Sequence, residues 1–379
     1  MKLIKNFKII IIIIFFLISL ISILKSFHDA QNLSFDFHFS PAKLVAEGIN
    51  HYQYILDGKR DFGPNDKIMY AQNGNYAQGL FIILIPFTFL EWDNAKILWS
   101  IINIFISIFI PFLLSKKFNL NNFQNFVICS IFLTSTIFRI HIGYGQQTLI
   151  MFLFLVLPFV KLNSLNIILS GIAYFKYNIG YGLFLYFLSL RNFKNIFLSS
   201  IPLIIGWILY CLITKTNIFV NVFEPLRVIL YWNSQQNHFP STIFSILKYL
   251  EINSLILLIL PIIICFILIN HIKLIKDDLK KLSIICLSIL SFAPHQLHDY
   301  VLLVPLLIYS FKNLQLITSK INILFIFYFF YFLRIISYIY GTQPWELPYG
   351  IFGYFNNLLT ITVLIINIFF NQKLTSKKI

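Results

Sequence analysis

Long apolar stretches separated by short polar segments dominate this chain. Apolar and polar residues do not alternate strictly, so transmembrane strands are not predicted. Helices are expected instead, because backbone groups in lipid must find hydrogen-bond partners within their own segment. The pattern predicts an all-α polytopic membrane protein with about 12 transmembrane helices. The apolar segments lie near residues 7–25, 76–91, 94–115, 123–138, 147–161, 164–190, 195–213, 251–271, 282–297, 299–311, 321–340 and 352–370.

Composition supports a membrane location for most of the chain. Hydrophobic residues make up 58%, charged residues only 11%, and the mean hydropathy is +0.80. Soluble domains carry about a quarter of charged residues. The formal net charge of +15 comes from Lys and Arg residues, most of which lie between the apolar segments. We interpret them as orientation signals and contacts to membrane lipid headgroups, and we expect no nucleic-acid partner.

The basic residues predict an orientation in the plasma (inner) membrane. Lys2, Lys5 and Lys8 precede the first apolar segment, and Lys25 follows where a cleaved signal would carry small residues. We therefore expect a retained first helix, both termini in the cytoplasm and the active site facing outside. Simple alternation puts Lys116 and Lys117 outside, against the positive-inside rule.

That conflict disappears if segment 76–91 re-enters the membrane and segment 164–190 is a broken pair. Irregular helix is expected at Pro86 and at the Gly180 and Gly182 pair.

Two long outer loops, residues 26–75 and 214–250, interrupt a chain that we predict to be a single membrane domain over residues 1–379. Within the first loop, residues 39–57 carry apolar positions at helical spacing. This spacing predicts a helix that lies in the membrane interface.

Several motifs of other enzyme classes are missing from the sequence. Its four cysteines have neither CxxC nor Cys/His spacing, so neither disulfides nor a zinc site is predicted. Asp277 and Asp278 in "KDDLKK" fall on the predicted cytoplasmic side and are interpreted as loop residues. Phosphate-cradling glycine motifs are absent. We expect a mechanism without nucleotide, metal or cofactor.

Asp36 is the candidate catalytic residue. It stands beyond the predicted outer end of the first helix, at the head of the polar loop. A carboxylate held at the interface could deprotonate an incoming hydroxyl as a general base. The alternative is a helix-capping or solvated loop carboxylate, and Asp29 is the nearest competitor for the catalytic role.

Five short stretches in this order carry a resemblance to a known family. They are "DFHFSPAKLVAEGINHY", "NYAQGLFIILIPFTFL", "YGQQTLIMFLFL", "GIAYFKYNIG" and "SFAPHQLHDYVLLVPLL". Together they resemble the glycosyltransferase 87 family of the GT-C superfamily, which includes bacterial polyprenyl-phosphate-mannose-dependent mannosyltransferases. The family's Tyr-Pro-Pro-Leu stretch keeps Tyr76 here, whereas Ala77 and Gln78 replace both prolines.

The resemblance implies a GT-C-like fold and an inverting hexosyltransferase. Its donor would be a polyprenyl-phosphate-linked sugar, with mannose as the family-level expectation. Its acceptor would be a lipid or a glycan at the outer face of the membrane. Because inversion needs no covalent intermediate, a single catalytic carboxylate is expected.

Other polar residues receive roles on this basis. A departing lipid phosphate gains charge, which cations or histidines near the bilayer surface would stabilise. The donor-phosphate candidates are Lys176, His298, His295, Arg139 and Arg334. The candidates for contacts to the sugar or the acceptor are Tyr76, Gln146, Tyr52 and Asp299. The competing interpretations are headgroup contacts for the cations, hydrogen bonds to neighbouring carbonyls for the histidines, and interfacial anchoring for the tyrosines.

Two other kinds of protein remain as alternatives. One is a multi-pass transporter or flippase for a lipid-linked saccharide, in which Lys176, Arg334 and Asp299 would be pathway charges. The other is a non-catalytic scaffold or a polymerase of an envelope polysaccharide system. Substitution of Asp36 separates the first alternative from the transferase, because a transporter should keep most of its activity.

Overall fold

The computed structural model describes residues 2–33, 37–59, 76–235, 254–339, 341 and 351–370. Every regular element among these residues is helical, which confirms the all-α class. The α-helices are α1 Lys2–Leu33, α2 Phe39–Ala46, α3 His51–Leu56, α4 Gln78–Leu84, α5 Trp92–Lys117, α6 Asn122–Leu133, α7 Thr136–Gly143, α8 Thr148–Val160, α9 Ser164–Ser170, α10 Tyr177–Ser189, α11 Phe193–Thr214, α12 Ile218–Asn221, α13 Glu224–Gln235, α14 Ser254–Leu274, α15 Asp278–Phe292, α16 Val304–Lys312, α17 Ile317–Phe327, α18 Leu333–Ile339 and α19 Ile351–Phe369. Short 3-10 helices follow α4 (Ile85–Phe89) and α9 (Gly171–Phe175) and precede α16 (Leu297–Leu303), and a π-helical turn at Tyr328–Phe332 joins α17 to α18.

Four helical stretches among the described residues are long and apolar enough to cross a membrane. They are Ile9–Asn32, Trp92–Lys117, Phe193–Thr214 and Ile317–Ile339. The bent pair α6 and α7, whose axes differ by 58°, would make a fifth. These helices indicate a membrane protein. The count of about 12 spans is not confirmed.

The first helix is longer than the sequence pattern predicts. It runs through Leu33, so residues 26–33 of the predicted outer loop are helical. No glycine or proline precedes Pro41, and therefore no helix-breaking residue ends the helix near Lys25. The hydroxyl of Ser26 donates a hydrogen bond to the Ser22 carbonyl, as expected inside a continuous helix.

The predicted interfacial helix over residues 39–57 is two short helices, α2 and α3. Gly48 separates them with φ 79°, in the left-handed region that glycine adopts readily. Asn50 then caps α3, where its side chain accepts hydrogen bonds from the amides of Tyr52 and Gln53. Most side chains of α2 are buried against neighbouring helices, so this segment belongs to the protein interior.

Segment 164–190 is broken, as predicted, but at a different place. Gly180 and Gly182 lie within the regular helix α10, whereas the break is the 3-10 turn Gly171–Phe175 followed by extended Lys176. This 3-10 turn packs closely on α11, because a Cβ atom on Gly171 would lie 1.8 Å from the Ser199 carbonyl oxygen. The prediction for Pro86 is confirmed, since it is the second residue of the 3-10 helix Ile85–Phe89.

The chain divides into two compact units. Unit 1 comprises Met1–His28, Ile104–Ile142 and Pro240–Ile379, and unit 2 comprises Asp29–Asn103 and Gly143–Phe239. The core of unit 1 includes α15, which is buried on nearly every side from Leu282 to Ser291. In unit 2, α4 crosses α11 where a Cβ atom on Gly206 would lie 2.5 Å from Gly79 Cα. Two glycines thus allow a close crossing of helix backbones.

Candidate functional site

In unit 2, the break before α10 brings Lys176 next to Tyr76. The Ala77 amide donates a hydrogen bond to the Phe175 carbonyl at 3.1 Å, which fixes the two chain segments side by side. The Lys176 ammonium lies 5.8 Å from the centre of the Tyr76 ring. It also donates a hydrogen bond to the Thr148 hydroxyl at 2.6 Å. Lys176 is 3% exposed, so this cation is held inside the protein.

His38 packs edge-on against Tyr76, with the ring centres 4.8 Å apart. Burial lowers the pKa of His38 well below its usual value, and the charges of His51 and Lys176 lower it further. The imidazole is therefore neutral at pH 7. Among the described residues its Nδ1 atom has no hydrogen-bond partner, although His38 is only 2% exposed.

The backbone at Phe37 and His38 is strained. Their φ angles are 35° and 65°, in the left-handed region that non-glycine residues rarely adopt. Such residues cost about 1–3 kcal/mol each and persist only where the surroundings impose them. Here the Phe37 ring stacks on Trp99, with 4.8 Å between ring centres, and on Trp92 at 5.5 Å. This aromatic stack holds His38 in place.

We call His38, Tyr76, Thr148 and Lys176 the lysine cluster. Three of these residues come from separate chain segments: the N-cap of α2, the start of α8 and the break before α10. The cluster combines one buried cation, a neutral imidazole and two hydroxyl-bearing residues. Buried cations favour a neighbouring anion, and the other groups can exchange hydrogen bonds with an oxygen-rich ligand.

Tyr52 contacts the lysine cluster through the backbone of Tyr76. It is fully buried, and its hydroxyl donates a hydrogen bond to the Tyr76 carbonyl at 2.6 Å. Burial is the main reason why the pKa of Tyr52 lies well above its usual value. The predicted contact from Tyr52 to a sugar stays a prediction, whereas the structure gives its hydroxyl a partner within the protein.

A hydrogen-bonded network continues from α3 to α13. The Tyr210 hydroxyl lies 2.9 Å from both Asn50 Oδ1 and His51 Nδ1. Asn50 Nδ2 donates to both carboxylate oxygens of Glu224 at 3.0 Å, and Asn221 Nδ2 donates to the same carboxylate. Burial raises the pKa of Glu224, partly offset by the hydrogen bonds from Asn50 and Asn221 and by the charge of Arg227.

A second group of predicted residues lies in unit 1, and we call residues 293–300 the histidine loop. His295 Nδ1 lies 3.1 Å from the Ala293 carbonyl oxygen, and its Nε2 lies 3.4 Å from the Tyr300 hydroxyl. Asp299 accepts a hydrogen bond from the Gln296 amide at 3.0 Å and lies 3.5 Å from His298 Nε2. The loop thus pairs most of these groups with one another or with nearby backbone.

The remaining predicted residues occupy different settings. Arg139 is half-buried on α7, and two residues later His141 faces His298 with 6.2 Å between ring centres. Arg334 is exposed on α18. Gln146 is half-buried in the turn before α8, two residues before Thr148.

The predicted catalytic residue is not among the described residues. Asp36 lies outside the described residues, directly before Phe37. Its competitor Asp29 is half-buried near the end of α1. The predicted convergence of Lys176 with His295, His298 and Asp299 stays a prediction, since Lys176 belongs to unit 2 and the others belong to unit 1.

Sequence reasoning missed His38, His51, Asn50 and Glu224. The sequence pattern could have indicated the two histidines, because His38 stands two residues after Asp36 and His51 lies near the end of the same family-like stretch. No sequence pattern indicated Glu224, because its partner Asn50 is far away in the sequence.

Comparison with family models, curated proteins and solved structures finds no match to this chain.

Proposed function

We propose that this membrane protein is an inverting glycosyltransferase that moves a hexose from a polyprenyl-phosphate donor to a lipid or glycan acceptor. Mannose is the first sugar to test. The observation that carries the proposal is the buried ammonium of Lys176 next to Tyr76, Thr148 and the neutral His38. This cation is suited to stabilise a phosphate held near the membrane.

In the proposed step, the acceptor hydroxyl oxygen attacks the anomeric carbon from the side opposite the phosphate. Asp36 takes the hydroxyl proton as the new carbon–oxygen bond forms. The bond from the anomeric carbon to the phosphate oxygen breaks, and the electron pair leaves with the polyprenyl phosphate. Lys176 stabilises the negative charge that develops there, because electrostatic stabilisation is strong where water is excluded.

His38 contributes as a neutral hydrogen-bonding group. An imidazole that stays neutral presents one donor and one acceptor nitrogen. Its Nδ1 atom, which lacks a partner within the described part of the chain, is suited to a hydroxyl or phosphate oxygen of the donor. Tyr76 contacts both His38 and Lys176, so the lysine cluster could contact both a sugar and a phosphate.

The proposal is tested by transfer of radiolabelled sugar from a panel of polyprenyl-phosphate sugars to a lipid extract. Wild type is compared with Asp36→Asn and Lys176→Met in reconstituted membranes. Lys161→Met is the matched control, since Lys161 is an exposed lysine of the same unit. We expect label transfer by wild type and by the control and strong loss in both test variants.

Two results would contradict the proposal. Equal transfer by wild type and Asp36→Asn would remove Asp36 as the base. If no donor in the panel supports transfer while the protein moves a lipid-linked saccharide across the bilayer, the protein is a flippase.

A further inference from the structure

The chain after α11 forms a segment with one buried polar face and one exposed apolar face. We call residues 218–235, which include α12 and α13, the amphipathic segment. Phe219 and Phe223 are 82% and 62% exposed, and Leu226 and Leu230 are 53% and 59% exposed. Phe223 directly precedes α13, and Leu226 and Leu230 follow it at helical spacing, so the three residues lie on the same side of this segment.

The opposite face is fixed to unit 2 by polar contacts. Glu224 accepts hydrogen bonds from Asn50 and Asn221, and Gln78 Nε2 donates to Asn221 Oδ1 at 3.0 Å. Val228 is fully buried in the cluster that also contains Tyr52 and Tyr210. These contacts prevent the segment from rotating, so its exposed aromatic and aliphatic side chains remain directed away from the protein.

Position in the chain determines what these side chains meet. The span Phe193–Thr214 is followed by Lys215, which caps the helix with left-handed backbone angles. Only three residues separate the end of the span from α12. Along this span Ile205 and Leu212 are exposed, as expected of residues that face lipid. The apolar face of the amphipathic segment therefore begins where a lipid-facing surface leaves the membrane. Lys215 and Arg227 add positive charge at the same end.

We propose that the amphipathic segment docks on the bilayer surface, with Phe219, Phe223, Leu226 and Leu230 inserted between the lipid headgroups. Apolar side chains of such helices enter the boundary between headgroups and acyl chains, and basic residues favour anionic lipids. The partner is thus the membrane of the same cell, on the side where α11 ends. This proposal does not depend on transferase activity.

Docking would also connect the lipid surface to the lysine cluster. Glu224 holds Asn50, Asn50 caps α3, and Tyr52 of α3 donates to the Tyr76 carbonyl. The membrane-bound segment would thereby fix the depth of Tyr76 relative to the bilayer surface.

The test places a fluorescent label at single cysteines in the full chain, reconstituted in vesicles of phosphatidylcholine and phosphatidylglycerol. Phe223→Cys and Leu230→Cys report on the apolar face. Gln53→Cys on α3 is the matched control, because Gln53 is exposed and polar in the same unit. Cys129 and Cys265 are replaced by serine in every variant, and the parent with buried Cys211 and Cys286 gives the background.

Labels at residues 223 and 230 are expected to be quenched by lipids with a nitroxide high on the acyl chain and to be protected from aqueous iodide. The label at residue 53 should show the reverse order. Iodide quenching at residues 223 and 230 equal to that at residue 53 would overturn the proposal. Protection from both quenchers in a protein that runs as a dimer would also overturn it, because a second copy would then cover the face.

Discussion

The lysine cluster of unit 2 and the histidine loop of unit 1 both bury ionisable side chains, but they satisfy them differently. In the histidine loop, His295 contacts Ala293 and Tyr300 and Asp299 contacts Gln296, all within a few residues in the sequence. Local hydrogen bonds of this kind account for buried polar groups without any ligand.

The lysine cluster is assembled from distant segments and retains an unsatisfied atom. Its backbone is strained at His38, and His38 Nδ1 lacks a partner among the described residues. Strain and unsatisfied polar atoms both cost free energy and are concentrated at functional sites. This difference is why we propose ligand binding at the lysine cluster and a structural role for the contacts of His295.

The comparison is tested most directly by replacing one ionisable side chain in each region. Lys176→Met should lower the rate of sugar transfer about 100-fold, as expected for loss of an electrostatic stabiliser. His295→Gln should lower it far less, since the ring of His295 already contacts Ala293 and Tyr300 of the same loop. Transfer rates are measured at saturating donor. A larger loss in His295→Gln than in Lys176→Met would reverse the assignment.

The helix crossing that supports the lysine cluster should be sensitive to size. Gly206→Val would force side-chain atoms against Gly79, where even a Cβ atom lies 2.5 Å from the Cα atom. Overpacking of this kind costs about 1–3 kcal/mol. The free energy of unfolding in detergent measures the effect. Gly143→Ala is the control, because its Cβ atom would meet Asp29 Cβ at an ordinary 3.5 Å, and an equal loss there would exclude the crossing as the cause.

Substitution of the two histidines should separate activity from stability. His38→Asn retains a residue that tolerates left-handed backbone but removes the imidazole. We expect transfer to fall about tenfold, which corresponds to one lost hydrogen bond, with little change in the thermal midpoint. His295→Asn should instead lower the midpoint, because the contacts with Ala293 and Tyr300 are lost. Equal effects of the two substitutions on both quantities would remove the distinction.

The smallest expected effect is a pH dependence of stability from Glu224. Its pKa is raised in the folded protein, so the folded state binds the proton more tightly than the unfolded state. The stabilisation from this group is present at low pH and is lost as pH rises from about 4.5 through the folded pKa. Glu224→Gln should flatten this part of the profile of thermal midpoint against pH. An unchanged profile would show that Glu224 is not the group that titrates.

The sequence predicted the helical class, because apolar stretches without alternation leave no other way to satisfy the backbone in lipid. It also named Lys176 and Tyr76 as candidate site residues, which the structure places next to each other, whereas their roles in binding stay predictions. The sequence could not place the break in segment 164–190, because Gly180 and Gly182 are compatible with the regular helix α10 and the extended residue is Lys176.

The contacts of Glu224 and the strained backbone at Phe37 could not be predicted from the sequence either. Glu224 meets Asn50 only after folding, and the Phe37 backbone is imposed by stacking on Trp92 and Trp99. Neither of these contacts between distant residues can be predicted from a local sequence pattern. The early end assigned to α1 was wrong because hydropathy falls at Lys25 while helix-compatible residues continue to Leu33.

Binding of a polyprenyl phosphate to reconstituted protein tests the central claim most directly. The dissociation constant is measured for wild type, Lys176→Met and the exposed control Lys161→Met. We predict that Lys176→Met weakens binding about tenfold or more, as loss of a charge-assisted contact implies, while Lys161→Met binds like wild type. Equal affinity of all three proteins would show that the buried lysine does not hold the phosphate.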